Sequence, residues 1–145
     1  MTMKKNKGKE QSIPALKIDL ACGENKQPGF LGVDFKQLPG VDIVHNLEIY
    51  PWPWKNDSVD EIYCCHYVEH TPDLIKFMDE CYRILKSGAK ITLIAPYYSS
   101  MRAWQDPTHR RAISEASFLY FNREWMKQNK LMHYGIKSDF DFYYS

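Results

Sequence analysis

The sequence has no long apolar run, no paired-cysteine motif, no phosphate-binding glycine signature and almost no net charge. Each absence removes a class of protein. No stretch approaches the roughly 18 consecutive apolar residues that a membrane span needs, and the first residues lack the apolar centre of a secretory signal. The four cysteines, Cys22, Cys64, Cys65 and Cys81, contain no C-x-x-C spacing. Adjacent Cys64 and Cys65 suit neither an ordinary disulfide nor a zinc knuckle. All four have apolar neighbours and read as buried free thiols of a reducing, cytoplasmic protein. No G-K-[ST] occurs, which excludes a P-loop nucleotide site. The 19 Lys and Arg offset 18 Asp and Glu, for a net charge of +1. That balance lacks the electrostatic footprint of a general nucleic-acid binder.

What remains is an ordinary globular composition, 44% hydrophobic and 26% charged in 145 residues. A chain of this length makes one domain and buries roughly 70% of its unfolded surface. The charge is unevenly placed. Lys4, Lys5, Lys7 and Lys9 against Glu10 give the first ten residues +3, which leaves −2 for the rest. We read residues 1–14 as a flexible basic tail and 15–145 as the single domain.

Short strands are predicted at Leu16–Ala21, Phe30–Asp34, Val41–Val44, Val59–Cys65 and Ile91–Ala95, punctuated by turns at Pro28-Gly29 and Leu38-Pro39-Gly40. A helix is predicted from Thr71 as N-cap and Pro72 as first residue to Ser87-Gly88. Its apolar face is Leu74, Ile75, Met78, Cys81, Tyr82 and Leu85. A second helix would be capped by Ser114 and carry Phe118, Leu119, Phe121, Trp125 and Met126 as a core stripe, and an alternating strand would run from Ile136 to Tyr144. Residues 97–112 read as a loop. Strands alternating with helices predict an α/β fold with a Rossmann-like, mostly parallel sheet. The gaps between the first three strands are short for helical crossovers, so either tight extended crossovers join them or one pair is not parallel.

Chemistry concentrates at Leu16–Asp34. One strand ends in Asp19-Leu20-Ala21-Cys22-Gly23 and the next ends in Asp34. A small-residue turn lets backbone approach a ligand, and an acid at the second strand tip can hold both hydroxyls of a ribose. The pattern departs from G-x-G-x-x-G, since Ala21 stands at the first glycine and only Gly23 remains. A nicotinamide oxidoreductase is disfavoured accordingly.

These residues begin a series that resembles the class I S-adenosylmethionine-dependent methyltransferases, nearest to the small type 11 group. Gly29-Phe30-Leu31-Gly32-Val33-Asp34 matches the second motif. Val41 to Glu48, Pro51-Trp52-Pro53-Trp54, Ser58 to Ile62, His66-Tyr67-Val68-Glu69-His70, Glu80 to Gly88 and Ile94-Ala95-Pro96 follow in family order, over about residues 16 to 112. The resemblance implies methyl transfer from S-adenosylmethionine to an O or N acceptor. It implies cofactor contacts from Asp19, Ala21, Cys22, Gly23 and Glu24 toward the methionine part, Asp34 and Phe35 at the ribose, Asn46 and Leu47 at the adenine, and His66 beside the transferred methyl. Asn46 stands where the family usually has Asp, so its oxygen can accept a hydrogen bond but carries no charge. The resemblance also implies an abbreviated plan, with reduced early helices and an incomplete C-terminal hairpin. That leaves an exposed sheet edge that invites homo-oligomers.

Asp106-Pro107-Thr108-His109-Arg110-Arg111 resembles a stretch that follows the fifth strand in this family. His66 and His109 are the candidate general bases, and Arg110 and Arg111 could hold an anionic acceptor. The alternative for this stretch is a solvated loop. His66-x-x-Glu69-His70 also has the H-x-x-E-H spacing of inverted zincins. That motif needs one helix carrying both histidines, and Thr71-Pro72 starts a new helix just beyond, so no metal is expected on it. The expected partner is a small or locally anionic acceptor rather than long nucleic acid or a membrane. The alternative to an enzyme is a catalytically inactive S-adenosylmethionine-binding or structural module.

Overall fold

The computed structural model describes residues 13–144. The basic stretch that starts the predicted tail lies outside them. Among the described residues five strands form one sheet: β1 (Lys17–Leu20), β2 (Leu31–Asp34), β3 (Ile43–Val44), β4 (Val59–Cys65) and β5 (Leu85–Ile94). Their spatial order is β3-β2-β1-β4-β5, and every neighbouring pair is parallel. The Rossmann-like, abbreviated sheet predicted from sequence is therefore present. The short early gaps are resolved in favour of tight crossovers, because ten residues join β1 to β2 and eight join β2 to β3 without a helix.

The two faces of this sheet differ. One presents Ile18, Leu20, Val33, Ile62 and Cys64, all buried. Against it lies helix α1 (Leu74–Ile84), whose Phe77, Met78, Cys81 and Ile84 are fully buried. Trp52 joins this core between Tyr50 and Phe77, with its indole N–H donating to the Leu47 carbonyl. The other face carries Lys17, Asp19, Glu61, Tyr63 and Lys90, brought side by side by the register Lys17↔Glu61↔Lys90 and Asp19↔Tyr63.

Several boundaries differ from expectation. Thr71 and Pro72 do not cap α1. The Thr71 amide turns back to the Tyr67 carbonyl, and Asp73 becomes the N-cap, accepting from the Lys76 amide at 2.9 Å. The helix stops at Ile84, because Leu85 already pairs with Val59. Lys86 to Ala89 then form an irregularity inside β5, with Gly88 at φ 75°, before pairing resumes at Lys90.

Residues 97–112 include a short helix, α2 (Met101–Trp104). The helix predicted after Ser114 is split into a 3₁₀ segment, Glu115–Phe121, and α3 (Arg123–Gln128). Asn122 divides them, since its extended backbone ends one and its side chain caps the other at Trp125. Of the predicted stripe, Phe118, Phe121 and Met126 are buried in the core, while Leu119 and Trp125 are half-buried.

The strand predicted over Ile136–Tyr144 does not form. Its amides go elsewhere: Lys137 and Ser138 donate to Asp79 of α1, and Phe140 donates to the Phe121 carbonyl. Among the described residues the sheet ends at β5. No helix there is long and apolar enough to cross a membrane.

Candidate functional site

The strand order reverses direction between β1 and β4, so a crevice opens there at the carboxyl ends of the strands. Open α/β sheets bind ligands at such a switch point. Each strand leaves the sheet abruptly. Ala21 after β1 and His66 after β4 have φ 56°, and Gly23 has φ 53°. For a residue with a Cβ this region costs roughly 1–2 kcal/mol, so both non-glycine positions are held by their surroundings. Strain of this kind clusters at functional sites.

Two buried carboxylates organise the crevice. Asp19 accepts from the Gln27 amide at 2.7 Å, and burial raises its pKa against the opposing effect of that bond and of Lys26. Asp34 accepts from Gly23 at 3.0 Å with one oxygen and from Lys36 at 3.2 Å with the other. It thereby ties the turn after β1 to the tip of β2. Each oxygen keeps a lone pair, since a carboxylate offers about four acceptor positions.

A Cβ added at Gly23 would meet nothing within 4 Å among the described residues, which leave space beside this turn. Cys22 is buried, and burial together with Asp19 and Asp34 pushes its thiol pKa up, which makes it a packing residue. Glu24 and Phe35 are exposed around the opening. At the β3 end, Asn46 is exposed and its side-chain oxygen accepts from the Glu48 amide, while Leu47 is buried under Trp52.

Beyond β4 lies a second cluster. His66 is half-exposed, with Nδ1 3.2 Å from Glu69 Oε1. Glu69 is almost completely buried. His70 and His109 stack edge to face, with ring centroids 4.6 Å apart. Their Nδ1 atoms meet Thr108 Oγ1 and the Ala103 carbonyl, each at 3.0 Å.

The two candidate arginines diverge. The Arg111 guanidinium donates to the carbonyls of Val68, Thr71 and Pro72, fastening this loop to the start of α1. Arg110 is exposed, and among the described residues only its backbone amide is engaged, on the Glu69 carbonyl. Residues 66–70 form turns and no helix, so His66 and His70 do not share a helical face.

Sequence reasoning overlooked Asp42 and Gly32. Asp42 accepts from the Gly32 amide at 2.7 Å and pairs with Lys26, and those bonds hold its carboxyl below the usual range. Gly32 is required because a Cβ there would lie 2.7 Å from the Gly40 carbonyl and 2.8 Å from Cys22 Sγ. An acid two residues past a Pro-Gly turn was the available signal for Asp42. Two hollows, of about 410 Å³ against β5 and about 520 Å³ beside Tyr82 and Arg83, include none of the crevice residues.

Residues 36–93 match the family of methyltransferase domains. A structure of an S-adenosylmethionine-dependent methyltransferase from Archaeoglobus fulgidus superimposes with TM-score 0.61 at 19% identity, covering 83% of this chain and 59% of that one. The fold is that of the class I S-adenosylmethionine-dependent methyltransferases.

This methyltransferase fold also superimposes on the YcgJ protein from Bacillus subtilis, with TM-score 0.55 at 19% identity, covering 80% of this chain and 62% of that one. A chain of the Haloferax volcanii complex between the Trm112 methyltransferase activator and a methyltransferase matches with TM-score 0.56 at 18% identity, covering 79% and 60%. No curated protein matches the chain. The chain thus spans about three fifths of the length of these methyltransferase-fold structures.

Proposed function

We propose that this chain binds S-adenosylmethionine at the β1/β4 switch point and transfers its methyl group to an oxygen or nitrogen acceptor. The observation that carries this reading is the pair of buried carboxylates, Asp19 and Asp34, at the tips of β1 and β2 beside that switch point. The match of residues 36–93 to methyltransferase domains supports it. The cofactor supplies a sulfonium-bound methyl group, and what the protein contributes is alignment and exclusion of water.

The donor set fits. Ala21, Cys22, Gly23 and Glu24 present backbone to the open space beside Gly23, where the methionine part would lie. Asp34, with its free lone pairs, accepts from the ribose hydroxyls beside Phe35. Asn46 and Leu47 edge the adenine. His66 stands at the end of β4 with its ring oriented by Glu69, which leaves Nε2 free to take a proton from an acceptor. His109 is the second candidate base. Arg110, more than Arg111, can meet an anionic acceptor, because Arg111 is already spent on three carbonyls. The four free thiols fit a reducing, cytoplasmic setting.

Isothermal titration with S-adenosylmethionine and with its demethylated product tests this reading. Binding of neither one removes it. Binding without transfer to any member of a panel of oxygen and nitrogen nucleophiles supports an inactive cofactor-binding module, the reading favoured by the missing early helices. Asp34→Ala, checked for folding by circular dichroism, should weaken cofactor binding by more than about tenfold, or about 1.4 kcal/mol. An unchanged affinity removes the ribose assignment.

A further inference from the structure

We propose that Glu69, His70 and His109 form a binding site for one divalent transition-metal cation of the zinc class. Each offers one ligand atom, and these atoms lie within 4.8 Å of one another. Two nitrogens and a carboxylate oxygen at such spacing are a first-row metal donor set, as in two-histidine, one-carboxylate centres.

Three features of the cluster favour a cation. The first is Glu69. Its residue is 1% exposed, one oxygen meets His66, and the other, Oε2, is buried with no hydrogen-bond partner among the described residues. Leaving such a group unsatisfied is costly, more so if it is charged, and a cation bound by the carboxylate would remove that cost.

The second is the tautomer of His109. Its Nδ1 lies 3.0 Å from the Ala103 carbonyl, which can only accept, so Nδ1 carries the hydrogen and the Nε2 lone pair is available. The third is the tautomer of His70. Thr108 Oγ1 donates its single hydrogen to Asp106 Oδ1 at 2.7 Å, so it accepts from His70 Nδ1 at 3.0 Å. His70 Nε2 is therefore free as well. Fixing each ligand ring through its other nitrogen is the usual outer arrangement of a metal-binding histidine. Asp106, 3.7 Å from His109 Nε2, adds negative charge at the rim.

This is not the H-x-x-E-H arrangement, since His66 is an orienting partner of Glu69 and His109 enters from a distant loop. Three protein ligands leave at least one coordination position open, as in catalytic rather than closed structural sites. With the metal bound, His109 is a ligand, and His66 is the remaining candidate base. The donor set stands on its own geometry, whether or not the chain transfers a methyl group.

The test uses the full chain without an affinity tag, stripped with a chelator. Zinc is titrated calorimetrically and cobalt(II) by absorption. We expect one metal per chain and visible cobalt d–d bands without a thiolate charge-transfer band. His109→Ala and His70→Ala should each weaken zinc binding by at least about tenfold, the scale at which even outer partners of metal sites act. Cys65→Ser should leave binding unchanged. A thiolate band, absence of zinc binding to the wild-type chain, or equal affinity in folded His70→Ala and His109→Ala variants overturns the site. The wild-type cobalt spectrum decides the ligand chemistry even if a variant does not fold.

Discussion

The two faces of the sheet are built on different physics. The face toward α1 buries Ile18, Val33, Ile62, Phe77, Met78 and Ile84 and is held by apolar contact. The opposite face carries the ladder Lys17–Glu61–Lys90, with ion pairs of 2.8 and 3.0 Å, and Phe30 edge-on to Tyr63 under the Lys17 ammonium. Parallel sheets are normally covered by helices on both faces, and their strands then read as continuous apolar runs. Here the early crossovers contain no helix, and beyond the loop of residues 21–30 the second face answers with charge. The difference teaches that, among the described residues, the strand positions facing away from α1 are polar where a second helical layer would call for apolar ones. It also explains why β4 alternates in character, with Ile62 and Cys64 buried and Glu61, Tyr63 and Cys65 half-buried.

The sharpest way to break this comparison is at α1. Phe77→Ala should destabilise the domain by about 3–5 kcal/mol, the usual range for deleting a buried aromatic, read by urea denaturation. A loss below about 1 kcal/mol, the level of an ordinary surface change, would show that the helical face does not carry the stability.

Next comes the loop-covered front. Gly32→Ala should cost about 1–3 kcal/mol through overpacking, because Gly40, Cys22 and Lys26 surround the new methyl group. Under the proposed cofactor site, it should also lower S-adenosylmethionine affinity by shifting the turn at Cys22.

The smallest effect is expected at the charged face. Glu61 has its carboxyl pKa lowered by hydrogen bonds from Lys17 and Lys90. Its contribution is therefore fully present above the unfolded carboxylate value and is lost as pH falls through the lower folded value. Glu61→Gln should change stability at neutral pH by less than about 1 kcal/mol, as surface pairs with solvated lysine partners do. It should flatten the acid side of the stability curve, and added salt should reproduce part of that effect. A loss at Glu61 as large as that at Phe77 would erase the distinction between the faces.

Much of this organisation is legible in the sequence. Each strand of the sheet was indicated by its apolar run and flanking turns, except the first half of β5, which reads as the end of the helix, and Asp19 and Asp34 by an acid placed where a strand ends. The parallel front was only half legible, since short gaps speak against helices without saying how a chain crosses over without one. The boundaries of α1 were obscured because Thr71-Pro72 looks like a helix start, yet its backbone serves the preceding turn and Arg111. The false strand over Ile136–Tyr144 shows the limit of alternation. Asp79, Phe121 and Asn122 take the backbone and side-chain bonds that a sheet neighbour would have needed. The grouping of His70 with His109 lay beyond reach, because it depends on where a loop 38 residues away returns.

The Asp34 carboxylate carries one more consequence. It closes the turn after β1 through Gly23 and the turn after β2 through Lys36. Under the proposed ribose contact, a ligand recruiting the same oxygens would bind a site shaped by both closures. Its observed affinity is the intrinsic affinity scaled by the fraction of molecules with both turns shut. Ligand occupancy and amide protection at Gly23 and Lys36 are therefore one equilibrium seen from two sides, and a variant that stiffens the front loops raises affinity without touching the ligand.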